Sequence, residues 1–264
     1  MPYKILYTAD LHGNKEYYKK LIAKANDSEI KAVVIGGDLC PKGSTTVEDA
    51  VKTQKEFLEK FFIPELRKLK KDIFVIMGND DFRINETILK NFNENLKYVN
   101  KKRFKLFNKN IVGYSFVNST PFRLKDWEKF EDEKKETPKQ LHDYEIRTIK
   151  KEKGTIKEDL SNLMKLSNPK NTVYVIHAPP FNTKLDIITS GVHVGSKAIR
   201  EFIEKEQPYL TLHGHIHESP SMSGSFIDKI GKTACINVGS SYPKNKLNSI
   251  VIDIENLDLR YIEL

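Results

Sequence analysis

Five short apolar runs, each reading as a buried strand, stop directly before residues that bind cations. Residues 3–8 lead into Asp10-Leu11-His12, 32–35 into Gly36-Gly37-Asp38, and 73–77 into Gly78-Asn79-Asp80-Asp81. Further on, 172–176 leads into His177-Ala178-Pro179-Pro180, and 209–212 into His213-Gly214-His215-Ile216-His217. Apolar runs of this length bounded by Gly, Pro and Asn/Asp are strand signals. Between the early runs, 14–25 places Tyr17, Tyr18, Leu21, Ile22 and Ala25 at helical spacing, and 47–62 keeps the same period. Strand–helix alternation predicts a layered α/β fold, with its chemistry at strand ends along one edge of a sheet. Residues 111–117, 234–238 and 249–254 add strands, and Asn256-Leu257-Asp258 reads as a tight turn into 259–264. The chain thus ends in an antiparallel hairpin.

The histidine cluster is the densest of these ends, holding three of the chain's seven histidines. In an extended segment His213, His215 and His217 would share one face. Gly214 lets the backbone turn close to a bound ion, and neutral imidazoles at this spacing suit borderline divalent metals. Gly36 and Gly37 clear the way for close backbone approach beside Asp38. Each motif alone is weak: Asp-x-His occurs by chance, and a lone His177 after a strand is more often a satisfied core histidine. Their joint occurrence, in this order, is the signal.

At 264 residues the chain suffices for one large α/β domain or two small ones. No apolar run approaches the roughly 18–20 residues that span a bilayer, and the N-terminus enters a strand at once, so a cytoplasmic protein is expected. Two cysteines, Cys40 and Cys235, cannot build a disulfide framework and are expected reduced. Cys40 stands two residues after Asp38, near the expected site. The net charge of +8 favours anionic substrates, although most lysines alternate with glutamates as on solvated helix faces. The densest basic tract, 100–107, includes Phe104 and Phe107. It reads either as a grip for single-stranded nucleic acid or as a strand pair with a basic outer face. Between about 123 and 166 both charges crowd together, which predicts a charged helical insertion, a cap or an interaction surface within a single domain spanning 1–264.

In its motifs the chain resembles the calcineurin-like metallophosphoesterases, whose pattern is Asp-x-His, Gly-Asp, Gly-Asn-His-Asp/Glu, a lone His and Gly-His-x-His. The matching positions are Asp10 and His12, Asp38, Asn79, His177, and His215 with His217. From His177 to Ser240, through His193-Val194-Gly195-Ser196-Lys197 and Asn237-Val238-Gly239-Ser240, it is similar to the Icc-related predicted phosphoesterases. The resemblance implies an α/β fold, a four-layer α-β-β-α sandwich of two mixed sheets flanked by helices. It also implies two divalent metal ions, with Asp10, His12 and His217 on one, Asn79, His177 and His215 on the other, and Asp38 bridging. His213 has no metal role in that pattern and is expected to be structural. The donor set is also sensible in itself. Three oxygen donors and four imidazoles suit Mn²⁺ first, and Fe, Zn²⁺ or Ni²⁺, rather than Ca²⁺. A bridging carboxylate holds two cations about 3.5–4 Å apart, and a shared hydroxide can then attack phosphorus in line.

One position departs from the family. Active members mostly carry His after the metal-binding Asn, placed to protonate the leaving oxygen, and this chain has Asp80. A carboxylate of ordinary pKa donates no proton at neutral pH. Either the reaction dispenses with that acid or another histidine supplies it. His193 is the candidate, with a locally capping loop histidine as the other reading. The helix opening at Ser196 is a candidate phosphate site, and Thr120 and Phe122 are candidates for the pocket border. The expected function is hydrolysis of a phosphate ester, a diester or nucleotide-like substrate. The alternatives are a metal-binding scaffold of the same fold and a nuclease. A homodimer is common in such folds, but nothing in the sequence marks an interface.

Overall fold

The computed structural model describes residues 3–91, 95–132, 144–241 and 245–264. Among them, strands form two six-stranded mixed sheets. The first contains β1 (Lys4–Thr8), β2 (Ile30–Gly36), β3 (Asp72–Ile76), β4 (Leu96–Tyr98), β11 (Asn248–Asp253) and β12 (Leu259–Glu263), in the order β12-β11-β1-β2-β3-β4. The second contains β5 (Arg103–Leu106), β6 (Lys109–Tyr114), β7 (Thr172–Ile176), β8 (Leu210–His213), β9 (Ile227–Ile230) and β10 (Thr233–Asn237), in the order β5-β6-β7-β8-β10-β9. The central strands run parallel, antiparallel strands close three of the four edges, and β4 closes the first sheet in parallel to β3.

The two-residue period of each strand assigns its side chains to layers. Ile5, Tyr7, Val34, Phe74 and Ile76 of the first sheet pack with Ile111, Val173, Val175, Leu212 and Ile236 of the second. The alternate residues, among them Leu6, Val33, Val75 and Tyr174, pack with helical side chains instead. Strands buried on both faces therefore read as continuous apolar runs. Helix α1 (Lys15–Ala25) starts on Asn14, whose side chain accepts the N–H of Glu16 and Tyr17. Helix α2 (Val47–Phe57) continues through a π turn, Leu58–Phe62, into α3 (Ile63–Leu66). A short α4 (Glu86–Lys90) precedes β4, and α5 (Ile156–Met164) and α6 (Lys197–Glu206) pack against one another. The result is the α-β-β-α sandwich. The terminal hairpin turns at Leu257, whose φ is 57°.

Two expectations need correction. The ligand-bearing strand ends belong to two sheets, β1 to β3 in one and β7 and β8 in the other, rather than to one sheet edge. The segment 123–166 is, among its described residues, only partly helical. Among its described residues the helix is α5, while Val117 bridges Glu128 and Leu124 bridges Ile146; residues 133–143 lie outside the described residues. Its charges are partly turned inward: Lys129, 1% exposed, pairs with Asp159 at 2.7 Å and Glu152 at 3.0 Å. Glu152 also receives Lys101 and Arg83, and the buried Trp127 donates to Asp81 O at 2.8 Å. In the basic tract, Arg103 and Lys105 are exposed on β5, Phe104 packs on the inter-sheet core and Phe107 stacks on Tyr3 at 4.7 Å. Both aromatic rings are thus engaged within the fold.

Candidate metal centre

The loops after β1, β2, β3, β7 and β8 converge where the two sheets meet, and the seven ligand candidates fall into two groups. Ligand atoms of Asp10, His12, Asp38 and His217 lie within 4.8 Å of one another. Beside them, Asn79 Oδ1 is 3.0 Å from His177 Nε2 and 2.6 Å from His215 Nδ1. Asp38 faces both groups, with Oδ2 3.8 Å from His12 Nε2 and Oδ1 3.5 Å from His177 Nε2. Four of the seven, Asp10, His12, Asp38 and His215, adopt positive φ between 44° and 67°. Such backbone is uncommon outside glycine and gathers at functional sites. Close approach also requires glycine: a Cβ on Gly37 would lie 2.6 Å from His177 Nδ1, and one on Gly214 would lie 2.7 Å from Asp10 Oδ2.

Local bonds aim these groups. His177 Nδ1 donates to Gly36 O at 2.8 Å, which leaves Nε2 to face Asn79 and Asp38. The N–H of His215 donates to Asp10 Oδ1, and that of Asp80 to Asp38 Oδ1. Burial disfavours the charge of Asp38, but His177, His12 and Lys42 outweigh it and hold the carboxyl well below the usual range. Asp10 is lowered in the same way, burial being outweighed mainly by His217. The reciprocal effect raises His177 to about 9 against its burial, while burial takes His12 to about 4 and His215 to about 3.

Divalent cations fit this donor set. Asp10 Oδ2 and His12 Nδ1 are buried with no hydrogen-bond partner, and His12 Nε2 and His217 Nε2 face each other at 3.0 Å. Buried acceptors left unpaired are costly unless a cation lies among them.

The remaining predicted residues separate. His213 does not share a face with His215 and His217. It ends β8 fully buried, with Nδ1 toward Ile176 O (2.9 Å) and Ala178 O (2.8 Å), and burial lowers it to about 4. The backbone leaves the strand at Gly214, so the alternation assumed from the sequence ends there. His193 is not brought to the ligands: its Nδ1 lies 2.7 Å from Asp186, the local role of the other reading. The phosphate site expected at Ser196 is filled by Glu131. Its carboxylate accepts Ser196 Oγ and the N–H of Lys197 and Ala198 at 2.8–3.0 Å. An internal carboxylate serves the helix terminus as a bound anion would. Cys40 is buried, and its thiol is raised by that burial; its N–H donates to Asp81.

Asp80 does sit at the centre, Oδ2 3.8 Å from His12 Nδ1. Burial and Asp38 push it up to about 6 despite an ion pair with Lys42 at 2.6 Å. Sequence reasoning missed Lys42, although it follows Asp38 by four residues. It also passed over Asp81, whose carboxylate accepts the N–H of Gly78, Leu39 and Cys40 and so ties the β2 and β3 loops together. The fourth position of the Gly-Asn-His-Asp/Glu pattern was the available signal.

A sequence model of calcineurin-like phosphoesterases matches residues 3–219. The chain belongs to that family. This phosphoesterase is 33% identical over 192 residues to the uncharacterised protein MJ1162 of Methanocaldococcus jannaschii, covering 69% of this chain and 72% of that one. Its fold is shared by the protein TT1561 of Thermus thermophilus, with a TM-score of 0.66 at 15% identity. A dimetal phosphatase from Danio rerio superposes with a TM-score of 0.59 at 13% identity. Both alignments cover 100% of this chain and 99% of the other. The phosphoesterase is accordingly a metal-dependent phosphoric ester hydrolase. Among the described residues, no helix is long and apolar enough to cross a membrane.

Proposed function

We propose that this phosphoesterase hydrolyses a phosphodiester at two divalent cations, one among Asp10, His12, Asp38 and His217 and one among Asp38, Asn79, His177 and His215. The observation that carries this reading is Asp38, whose two oxygens face the two groups. Manganese suits the mixed carboxylate and imidazole donors, as do iron, zinc and nickel. Cations held there supply Lewis acidity toward phosphoryl oxygens and toward water. The protein's own part is positioning and proton supply. Asp81 fixes the loops that carry Asp38 and Asn79. Asp80 holds the Lys42 ammonium at the rim, and Lys42 supplies the N–H that meets the departing ester oxygen. The local charge favours a diester, because Lys42 is already paired with Asp80 and a monoanion needs less neutralisation than a dianion.

The test compares bis(p-nitrophenyl) phosphate with p-nitrophenyl phosphate, using Mn²⁺-loaded wild type and Asp38→Ala. The diester should be turned over faster, and Asp38→Ala should lose both activities. A preference for the monoester overturns the diester assignment. No turnover of either ester by the loaded wild type leaves a metal-binding protein of this fold without catalysis.

A further inference from the structure

Beside the metal centre lies a cleft of about 580 Å³, within the range that encloses a small organic molecule. His215 lines it together with Pro121, Phe122, Ile188, Val192, Val194 and Ile216. Phe122 and Val192 are 52% and 54% exposed, so the cleft leaves large apolar side chains open to solvent. Among the described lining residues Glu218 is charged, and none is lysine or arginine.

The wall is a preformed hairpin. Ile187 bridges His193, Ile188 N donates to Val192 O at 3.0 Å, and Gly191 N donates to Ile188 O at 2.8 Å. Val192 and Val194 therefore face the cleft while His193 points to the other side, where it meets Asp186. Asp186 is fully buried and also accepts the N–H of Asn182, Thr183 and Gly195 at 2.8–3.0 Å. A wall fixed in this way binds without first paying an ordering cost.

Asn118 Nδ2 donates to Val194 O at 3.0 Å, which ties the hairpin to the segment that follows β6.

We infer that the cleft binds the substituent of the ester that does not leave, and that this group is uncharged and apolar, aryl or branched alkyl. The inference rests on the phosphoesterase reading of the neighbouring centre and names its substrate class. A second phosphate in this position would meet Glu218 and no compensating lysine or arginine.

Two measurements test it. The first is calorimetric titration of the metal-free protein with indole. Indole should bind one to one, and Val192→Asp, at a half-exposed position, should weaken it by about tenfold. Absence of saturable indole binding, or wild-type binding in Val192→Asp, overturns the inference. The second compares phenyl and methyl p-nitrophenyl phosphodiesters with Mn²⁺-loaded enzyme. The phenyl ester should be favoured about tenfold in kcat/KM, and the ratio should collapse in Val192→Asp. Equal values for the two esters in wild type also overturn it. Failure to hydrolyse either ester would instead count against the phosphoesterase reading, while indole binding still decides the cleft.

Discussion

At Asp80 the chain carries a carboxylate where the motif it resembles has an imidazole, and Lys42 meets it at 2.6 Å. If Lys42 donates to the departing oxygen, its importance depends on the basicity of that oxygen. Lys42→Ala should lower kcat by about 10² for an alkyl leaving group, within the usual contribution of a general acid, and far less for p-nitrophenolate. A leaving-group series on both enzymes checks this; parallel losses across the series would exclude the role. A methyl group at Gly214 would press on Asp10 Oδ2 at 2.7 Å and on the Ala9 Cβ at 2.8 Å. Gly214→Ala should therefore weaken Mn²⁺ binding, measured by direct metal titration, while the strands on either side keep their pairing.

Elements of this fold are joined by carboxylates taken from distant parts of the chain. Glu131 caps α6 through two backbone N–H groups and the Ser196 hydroxyl. Glu131→Gln should cost about 0.5–1 kcal/mol through the lost charge–dipole interaction, read as a lower urea midpoint. Glu152 binds the segment before α5 to Lys101, Lys129 and Arg83. Burial opposes its charge, but these three cations prevail and lower it from 4.5 to about 2. A depressed carboxyl stabilises the fold above its unfolded pKa, and that stabilisation is lost as pH falls from about 4.5 towards 2. Urea midpoints of wild type should decline through this window, and those of Glu152→Gln should start lower at pH 7 and decline less steeply.

For the whole molecule, the ligands come from both sheets, so a bound cation ties one sheet to the other. Asp10, His12, Asp38 and Asn79 follow strands of the first sheet, and His177, His215 and His217 follow strands of the second. Metal binding requires the folded arrangement, so free Mn²⁺ at 100 times its Kd should add about 2.7 kcal/mol to unfolding stability. Chelation should reverse the gain, and Asp38→Ala should lose most of it. An unchanged denaturation midpoint on addition and removal of metal would mean that the centre does not couple the sheets.

Most of the strands, the helical runs 14–25 and 47–62 and the residues following each ligand-bearing strand were legible in the sequence because they depend on local period and local composition, whereas the short β4, β9 and α4 were not. Gly36-Gly37-Asp38 and Gly78-Asn79 announce tight loops through residues within a few positions of one another. The partition of strands between two sheets was not legible, since β1 pairs with β11 across most of the chain. Nor was the fate of the charged segment: Lys129 becomes buried through Glu152 and Asp159, and Glu131 takes a helix terminus 65 residues away. His193 and His213 carry the same side chain as the ligands, yet Asp186 holds one and two backbone carbonyls hold the other. Local sequence set the chemistry available at each strand end. Which of those groups share one space was decided by the tertiary structure, because long-range pairing and burial alone bring such distant residues within bonding distance.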